Sequence, residues 1–338
     1  MARTRRVDTS SPGITRKRAG KGFSFYEEDG TKITDKATIE RIKALAIPPA
    51  WENVWICPHP RGHIQATGTD AAGRKQYRYH DDWREHRDRI KFEEMEDFAK
   101  ALPKLRERID EGLGGRGLSK DRVCSCAVRM LDLGLFRVGS EKYETDNNSY
   151  GLTTIKKIHV KIEGGAAKFD YPGKSGKRGK QEINDPSVMP TLKALKDRKK
   201  APKLKDLLVY YEGGEWHDLV AEDVNDYIKA IAGDGFSAKD FRTWNATVLA
   251  AVFLSAAEEP VSKTAQKRAI TEAVKKTALY LNNTPAVCRA SYIDPRVFDR
   301  YADGETIGPQ LKRIERGDDP GRFAEREKIE RAVLNLIS

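Results

Sequence analysis

The chain is 338 residues long, 38% hydrophobic and 33% charged, enough apolar material for one large or two ordinary domains without disulfide or metal staples. Lys and Arg outnumber Asp and Glu by 62 to 51, a net charge of +11, which favours a polyanionic partner, nucleic acid ahead of a membrane surface. The longest low-polarity run, residues 246–257, is too short to span a bilayer, and no P-loop or H-E-x-x-H motif signals ATP-driven or zinc-protease chemistry.

Residues 1–21 carry seven basic residues against one acid, set among Ser, Thr, Pro and Gly, and read as a disordered basic arm. The arm has no apolar segment of the secretory kind, and Pro12-Gly13 interrupts the amphipathic helix that a mitochondrial presequence would need. A β-rich domain is expected over 22–88. Phe23, Phe25 and the Asp29-Gly30 pair leading into Thr31–Thr34 predict a hairpin. Val54–Cys57 and His63–Thr67 predict strands on either side of a Pro58–Gly62 turn. The next stretch, Trp83–Arg108, is charged but places Ile90, Met95, Phe98 and Leu102 near helical spacing, so the domain boundary falls in or just before this helix.

A mainly helical domain is expected over 89–303. Val123, Cys126, Met130, Leu133 and Phe136 form one helical face leading into Arg137. A β island follows, with Val160 and Ile162, a Gly164-Gly165 turn, then Ala167, Phe169 and Tyr171 in alternation. A second turn at Gly173–Lys177 leads to a third strand. Ser237 is placed to cap a helix carrying Phe241, Trp244, Val248 and Ala251, and Ile270, Val274, Thr277 and Leu281 mark another. Thr284-Pro285 is a cap followed by proline at the first helical position, so Tyr292 is expected on a short helix. Residues 304–338 alternate in charge and read as an exposed helix or loose tail. The fold class is α+β. The four cysteines, Cys57, Cys124, Cys126 and Cys288, lack zinc-site spacing and read as buried thiols in a reducing cytoplasm.

Four polar clusters stand out: Arg137-Val138-Gly139, the Lys174 turn, Lys239-Asp240-Phe241-Arg242 and Asn282–Pro285 shortly before Tyr292. Singly, each has an ordinary explanation as a helix end, a turn or a core tyrosine. Together they supply what cleaves a phosphodiester without metal or ATP. A tyrosine oxygen can attack phosphorus and hold it covalently. Arginine forks and an amide N–H can stabilise charge on the non-bridging oxygens. A lysine can protonate the departing 5′ oxygen.

The chain resembles the type IB DNA topoisomerases, in particular the small bacterial enzymes related to those of poxviruses. The likeness runs from about Lys21 to about Ala302. It is carried by Ile42–Pro49, Gln65–Gly68, Gly73–Tyr79, Arg137–Gly139, Tyr150–Thr154, the Lys174 turn, Lys239–Trp244 and Asn283–Tyr292. The resemblance implies a β-rich clamp domain and a helical catalytic domain of the kind shared with tyrosine recombinases. It implies that Tyr292 is the nucleophile, joined to a 3′ phosphate. Arg137 and Arg242 would then bind the scissile phosphate, Lys174 would be the general acid, and Lys239 a further phosphate contact. Asn283 stands where the poxvirus-type and eukaryotic enzymes have histidine, which leaves it the role of hydrogen-bond donor. Arg74, Gln76, Tyr77 and Tyr79 fall where the family touches the duplex; Tyr and Arg reach phosphates, and Gln can read a base edge.

A tyrosine recombinase would instead carry His-x-x-Arg at the second arginine and Leu-Gly-His before the tyrosine. Here the corresponding residues are Lys239-Asp240-Phe241-Arg242 and Leu281-Asn282-Asn283. A non-enzymatic DNA-coating protein would have no reason to assemble the tyrosine, lysine and two arginines. The resulting expectation is relaxation of supercoiled double-stranded DNA by a monomer in the bacterial cytoplasm, at the nucleoid, with no metal, cofactor, nucleotide or membrane.

Overall fold

A computed structural model describes residues 4–134, 136–139, 148–199, 204–258, 261–314 and 322–338. The chain forms two compact units, one ending at Lys91 and one spanning Phe92–Ser338. No described helix is long and apolar enough to cross a membrane.

The first unit is a five-stranded antiparallel sheet of β1 (Ile14–Ala19), β2 (Gly22–Tyr26), β3 (Glu52–Ile56), β4 (Ile64–Thr69) and β5 (Lys75–Tyr79), in the order β2-β1-β3-β4-β5. Helix α1 (Lys36–Ala44) is capped by Asp35, whose carboxylate accepts from Thr38 N at 2.8 Å. Its Ile42 packs with Ile14, Phe25, Ile33, Val54, Ile56 and Ala66 to make the core.

Here the expected disordered arm is corrected. Residues 14–19 form a strand inside the sheet, and Arg5 bridges to Gly62 in parallel; residues 1–3 lie outside the described part. The charge that suggested disorder is accommodated because only Ile14 of this strand is buried. Arg16 lies over the Phe23 ring at 4.2 Å and donates to the carbonyls of Ile47, Pro48 and Trp51. The expected hairpin is present but short: across Asp29-Gly30, Tyr26 pairs with Lys32 antiparallel, Glu27 N donates to Thr31 O and Ile33 N donates to Phe25 O, each at 2.9 Å. The longer pairing of β2, however, is with β1.

Helix α2 (Asp81–Leu113) begins in the first unit and runs on into the second, where Met95, Phe98, Leu102, Leu105 and Ile109 are buried. The second unit continues with α3 (Lys120–Gly134), the antiparallel sheet β6 (Val160–Glu163), β7 (Ala166–Pro172) and β8 (Arg178–Ile183), and α4 (Met189–Asp197). The Gly164-Gly165 turn has positive φ at both residues, as a two-residue hairpin requires, and sets Val160 opposite Phe169. A second hairpin, β9 (Val209–Glu212) and β10 (Glu215–Asp218), turns at Gly213-Gly214. Then come α5 (Ala221–Ala232), α6 (Ala238–Ser255), α7 (Lys263–Tyr280), α8 (Pro285–Ser291), α9 (Arg296–Ala302), α10 (Gly308–Ile314) and α11 (Arg322–Ile337). Phe98 meets Phe241 edge-on at 5.1 Å, and Phe136, just past α3, meets Phe169 in the same way, so α2 packs on α6 and the segment leaving α3 packs on the β6–β8 sheet. All four cysteines are buried thiols.

Residues 304–338, expected as an exposed helix or loose tail, do form helices, and what is corrected is their exposure; residues 315–321 lie outside the described part. In α11, Ala332, Val333 and Ile337 are buried, on a face that the flanking charges conceal in the sequence. Glu330 on this helix joins a buried ion cluster. Arg106 donates to Asp132 at 2.9 and 3.1 Å and to Glu330 at 2.7 and 2.9 Å. Arg326 donates to Asp132 Oδ1 and to Asn245 Oδ1, each at 2.8 Å. The C-terminal helix is therefore tied to α2, α3 and α6.

Candidate active site

The site is built around the start of α6. Asp240 accepts from the backbone N–H and the hydroxyl of Ser237 at 2.8 and 3.0 Å, which fixes the first turn. Phe241 and Trp244 on this helix go into the core, and Arg242 goes in with them, only 4% exposed. Its guanidinium donates to the Leu281 carbonyl at 2.7 Å and lies 5.5 Å from the centre of the Tyr292 ring. Burial pushes Arg242 down to about 10, helped by repulsion from Arg137 and opposed by Tyr292 and Tyr171.

Arg137 follows α3 in a segment held by backbone pairing to the stretch after residue 148. Leu152 N donates to Arg137 O at 2.8 Å, and Thr153 N to Val138 O at 2.9 Å. The two backbones touch at Gly139 and Gly151. A Cβ on Gly139 would sit 2.8 Å from Gly151 Cα, and Gly139 has φ +88°, so glycine is required twice over. The Arg137–Gly139 and Tyr150–Thr154 blocks are thus two halves of one support.

Arg137 Nη2 donates to Asn283 Oδ1 at 2.6 Å. Asn283 lies in the α7–α8 turn, where Asn282 has φ +51° and its side-chain amide donates to Arg178 O at 3.1 Å. That bond ties the turn to β8, and so to the β7–β8 hairpin. The Asn283 Nδ2 atom is buried and has no hydrogen-bond partner among the described residues. A donor is therefore held ready for an acceptor that the described residues do not supply.

Tyr292 is the residue just past α8, half-buried, with φ −130° and its N–H on the Cys288 carbonyl at 3.0 Å. The predicted cap is present: Thr284 Oγ1 accepts from Val287 N at 3.3 Å, with Pro285 at the first helical position. Tyr292 thus ends the short helix and does not lie within it. Lys174 is exposed at the β7–β8 turn, where Gly173 N donates to Lys177 O at 2.7 Å and Gly176 has φ +73°. Lys239 is exposed in the first turn of α6, three residues before Arg242.

The structure thus brings Arg137, Arg242, Asn283 and Tyr292 together and ties the Lys174 hairpin to them through Asn282. Tyr171 joins this group without having been singled out as more than a core position. Burial pushes its hydroxyl up to about 12, against the pull of Arg242 and Arg137. The sequence carries only the strand alternation that buries it.

The four residues expected to touch the duplex lie in the first unit and do not share one surface. Tyr77 and Tyr79 are exposed on the edge strand β5, with ring centroids 6.0 Å apart. Gln76 points to the other face, and its amide donates to Asp70 Oδ2 at 3.0 Å. Arg74, exposed, also binds Asp70 Oδ2 through Nε at 3.0 Å. Among the described residues no group of three or more His, Cys, Asp or Glu is placed to hold a metal ion.

Comparison with known proteins shows which family the chain belongs to. The family model for the catalytic core of eukaryotic DNA topoisomerase I matches residues 80–315, and that for the N-terminal domain of bacterial DNA topoisomerase IB matches residues 22–70. The chain is 33% identical over 315 residues to DNA topoisomerase 1B of Acanthamoeba polyphaga mimivirus, covering 92% of this chain and 93% of that protein. It is 30% identical over 152 residues to DNA topoisomerase 1 of Schizosaccharomyces pombe, covering 43% of this chain and 17% of that protein. A solved XerH site-specific recombinase bound to palindromic difH substrate matches with a TM-score of 0.38 and 18% identity, over 60% of this chain and 50% of that one. Two family models that together take in most of the chain, and a viral relative matched along nearly its whole length, give one answer: the chain belongs to the type IB DNA topoisomerase family.

Proposed function

We propose that this isomerase relaxes supercoiled double-stranded DNA by transient single-strand cleavage through a phosphotyrosine, without ATP or metal. Tyr292 Oη attacks the scissile phosphorus and forms the new P–O bond, its proton passing to solvent. The bond to the 5′ oxygen breaks, and Lys174 delivers a proton to that oxygen as it leaves. Arg137, Arg242 and the Asn283 Nδ2–H stabilise the charge on the non-bridging oxygens, and Lys239 contacts a neighbouring phosphate. The strand remains joined to Tyr292 through its 3′ phosphate. Attack of the 5′ hydroxyl on that phosphorus reverses every step and reseals the DNA after rotation. A single chain is taken to act alone, with Tyr77 and Tyr79 contributing DNA contacts, in a bacterial nucleoid.

One observation carries this reading. Two arginines repel each other beside a half-buried tyrosine, and a buried amide N–H among them has no partner among the described residues. Bringing two cations together at a buried site is costly unless an anion joins them. A phosphodiester supplies both the anion and the acceptor. The test is relaxation of a negatively supercoiled plasmid of arbitrary sequence, with EDTA and without ATP. Relaxation with a protein–DNA adduct trapped on denaturation is expected. A requirement for a specific site would reassign the chemistry to recombination, and no relaxation would overturn the proposal.

A further inference from the structure

The same helix that carries Arg242 also holds the backbone of Tyr292, and it does so through one side chain. Thr247 lies five residues after Arg242 on α6 and is fully buried. Its hydroxyl donates to the Thr243 carbonyl at 3.0 Å and accepts from the backbone N–H of Asp294 at 3.1 Å. It also lies 3.5 Å from the carbonyl oxygen of Tyr292 itself. A single hydroxyl thus meets both the nucleophile's own carbonyl and the amide two residues beyond it.

The segment is braced from its other side. The Asp294 carboxylate is fully buried and accepts from Arg296 through the backbone N–H at 2.9 Å, Nε at 3.1 Å and Nη2 at 2.8 Å. Arg296 in turn donates to the Phe92 carbonyl at 2.9 Å and pairs with Glu96, both on α2. Asp294, two residues after Tyr292, is therefore fixed between two long helices.

Resting on the phosphotyrosine reading above, we propose that Thr247 is a positioning residue of the cleavage reaction. It sets the distance between the nucleophile and the phosphate bound at Arg242 by pinning both to α6. The Asp294–Arg296–Glu96 brace holds the same segment from the side of α2. The chemistry demands such a device: the attacking oxygen must approach phosphorus in line, and a misplacement of about 1 Å can cost on the order of 10²-fold in rate. Tyr292 sits just beyond the end of a seven-residue helix, which cannot supply that accuracy alone. Thr247 touches neither phosphate nor leaving group, so it acts through the Tyr292 backbone.

The test is Thr247→Val, which keeps the shape and removes the acceptor, beside Thr247→Ser, which keeps the hydroxyl. Single-turnover cleavage of a DNA duplex by the full chain should slow about 10- to 100-fold in Thr247→Val and recover in Thr247→Ser. Religation should slow by the same factor, leaving the cleavage equilibrium and duplex affinity unchanged. The slowing should persist on a 5′-bridging sulfur substrate, because the defect lies in attack and not in protonation. Unchanged cleavage by folded Thr247→Val would overturn the inference. So would a defect that serine does not relieve, or one that the sulfur substrate abolishes. If Thr247→Val does not fold, Arg296→Lys tests the same segment: it keeps the charge and loses the fork. Slower cleavage at unchanged duplex affinity supports the proposal, and the unmodified rate overturns it. The unmodified chain in the same assay separates the two readings: no adduct from it sinks the phosphotyrosine mechanism, whereas a normal adduct with no effect at Thr247 sinks only the positioning role.

Discussion

Arg137 donates to the oxygen of the Asn283 side chain at 2.6 Å, which leaves the buried nitrogen of the same amide as the end with no partner among the described residues. The polarity of that contact decides what Asn283 can do. Asn283→Ala loses the donor and should slow cleavage on the order of 10²-fold, the scale of a missing oxyanion donor. Asn283→Asp keeps an acceptor for Arg137 but offers a carboxylate where the N–H was, and should be slower still. Asn283→His should retain appreciable activity, since an imidazole N–H can reach the same oxygen. Single-turnover cleavage decides the order; an aspartate variant faster than the alanine variant would refute the donor role.

Tyr292→Phe removes only the attacking oxygen and leaves Arg137 and Arg242 in place. Duplex affinity should be unchanged, and no covalent adduct should form. Gel shift and denaturing gel on the same labelled duplex check the two halves. An adduct from the phenylalanine variant would move the nucleophile elsewhere.

Lys174 stands exposed at the tip of a hairpin that Asn282 ties to the active-site turn. As the proton donor to the 5′ oxygen, it should matter only when that oxygen needs a proton. Lys174→Ala should cleave ordinary DNA slowly and recover most of its rate with a 5′-bridging sulfur, which departs unprotonated. Equal slowing on both substrates would make Lys174 a binding residue.

What the sequence made legible was local. The Thr284-Pro285 cap, the Gly164-Gly165 turn and the stripe of Phe241 and Trp244 all depend on residues a few positions apart. Arg137, Arg242, Asn283 and Tyr292 were legible as a set through the chemistry they jointly supply and through the family resemblance, but not through spacing, because three separate stretches of chain meet there. Strand β1 was hidden by its basic run Arg16–Arg18, which reads as a solvated arm although its partner β2 follows directly across a tight turn that pairs Ala19 with Gly22. The Gly213-Gly214 hairpin between Tyr211 and Trp216 carries the local signal of a two-residue turn. Thr247 could not be found from spacing, since its significance is a bond to a residue 47 positions away.

The ordered arm changes what its removal should do. Deleting residues 1–21 removes β1 from between β2 and β3, so the first unit should lose its sheet along with six net charges. The truncated chain should therefore become protease-sensitive before Lys91. Charge is tested separately with Arg18→Gln and Lys21→Gln, both exposed. Each lost phosphate contact makes the slope of log K against log salt shallower by about 0.9. An unchanged slope would remove these two cations from the DNA contact, and a protease-resistant truncation would show that β1 is dispensable.

The buried ion cluster sets the acid limit of the second unit. Burial alone would raise the Asp132 carboxyl, but Arg326 and Arg106 together hold it below the ordinary carboxylate range. With the folded value below the unfolded one, its stabilisation is complete above about pH 4 and is lost as pH falls through the folded value. Asp132→Asn leaves Arg106 and Arg326 with Glu330 and, at 4.0 Å from Arg106, Glu327, and breaking a buried pair in this way costs about 3–5 kcal/mol. The variant should unfold at lower temperature near pH 7, and the gap to the unmodified chain should close as pH drops below about 4. Because Arg326 also bonds Asn245, one turn beyond Arg242 on α6, the variant should lose cleavage rate as well as stability. Thermal midpoints from pH 3 to 7, with single-turnover cleavage at pH 7, measure both. A constant difference across that range would show that Asp132 is not the group that titrates, and full cleavage activity in the destabilised variant would separate the cluster from the alignment of Arg242.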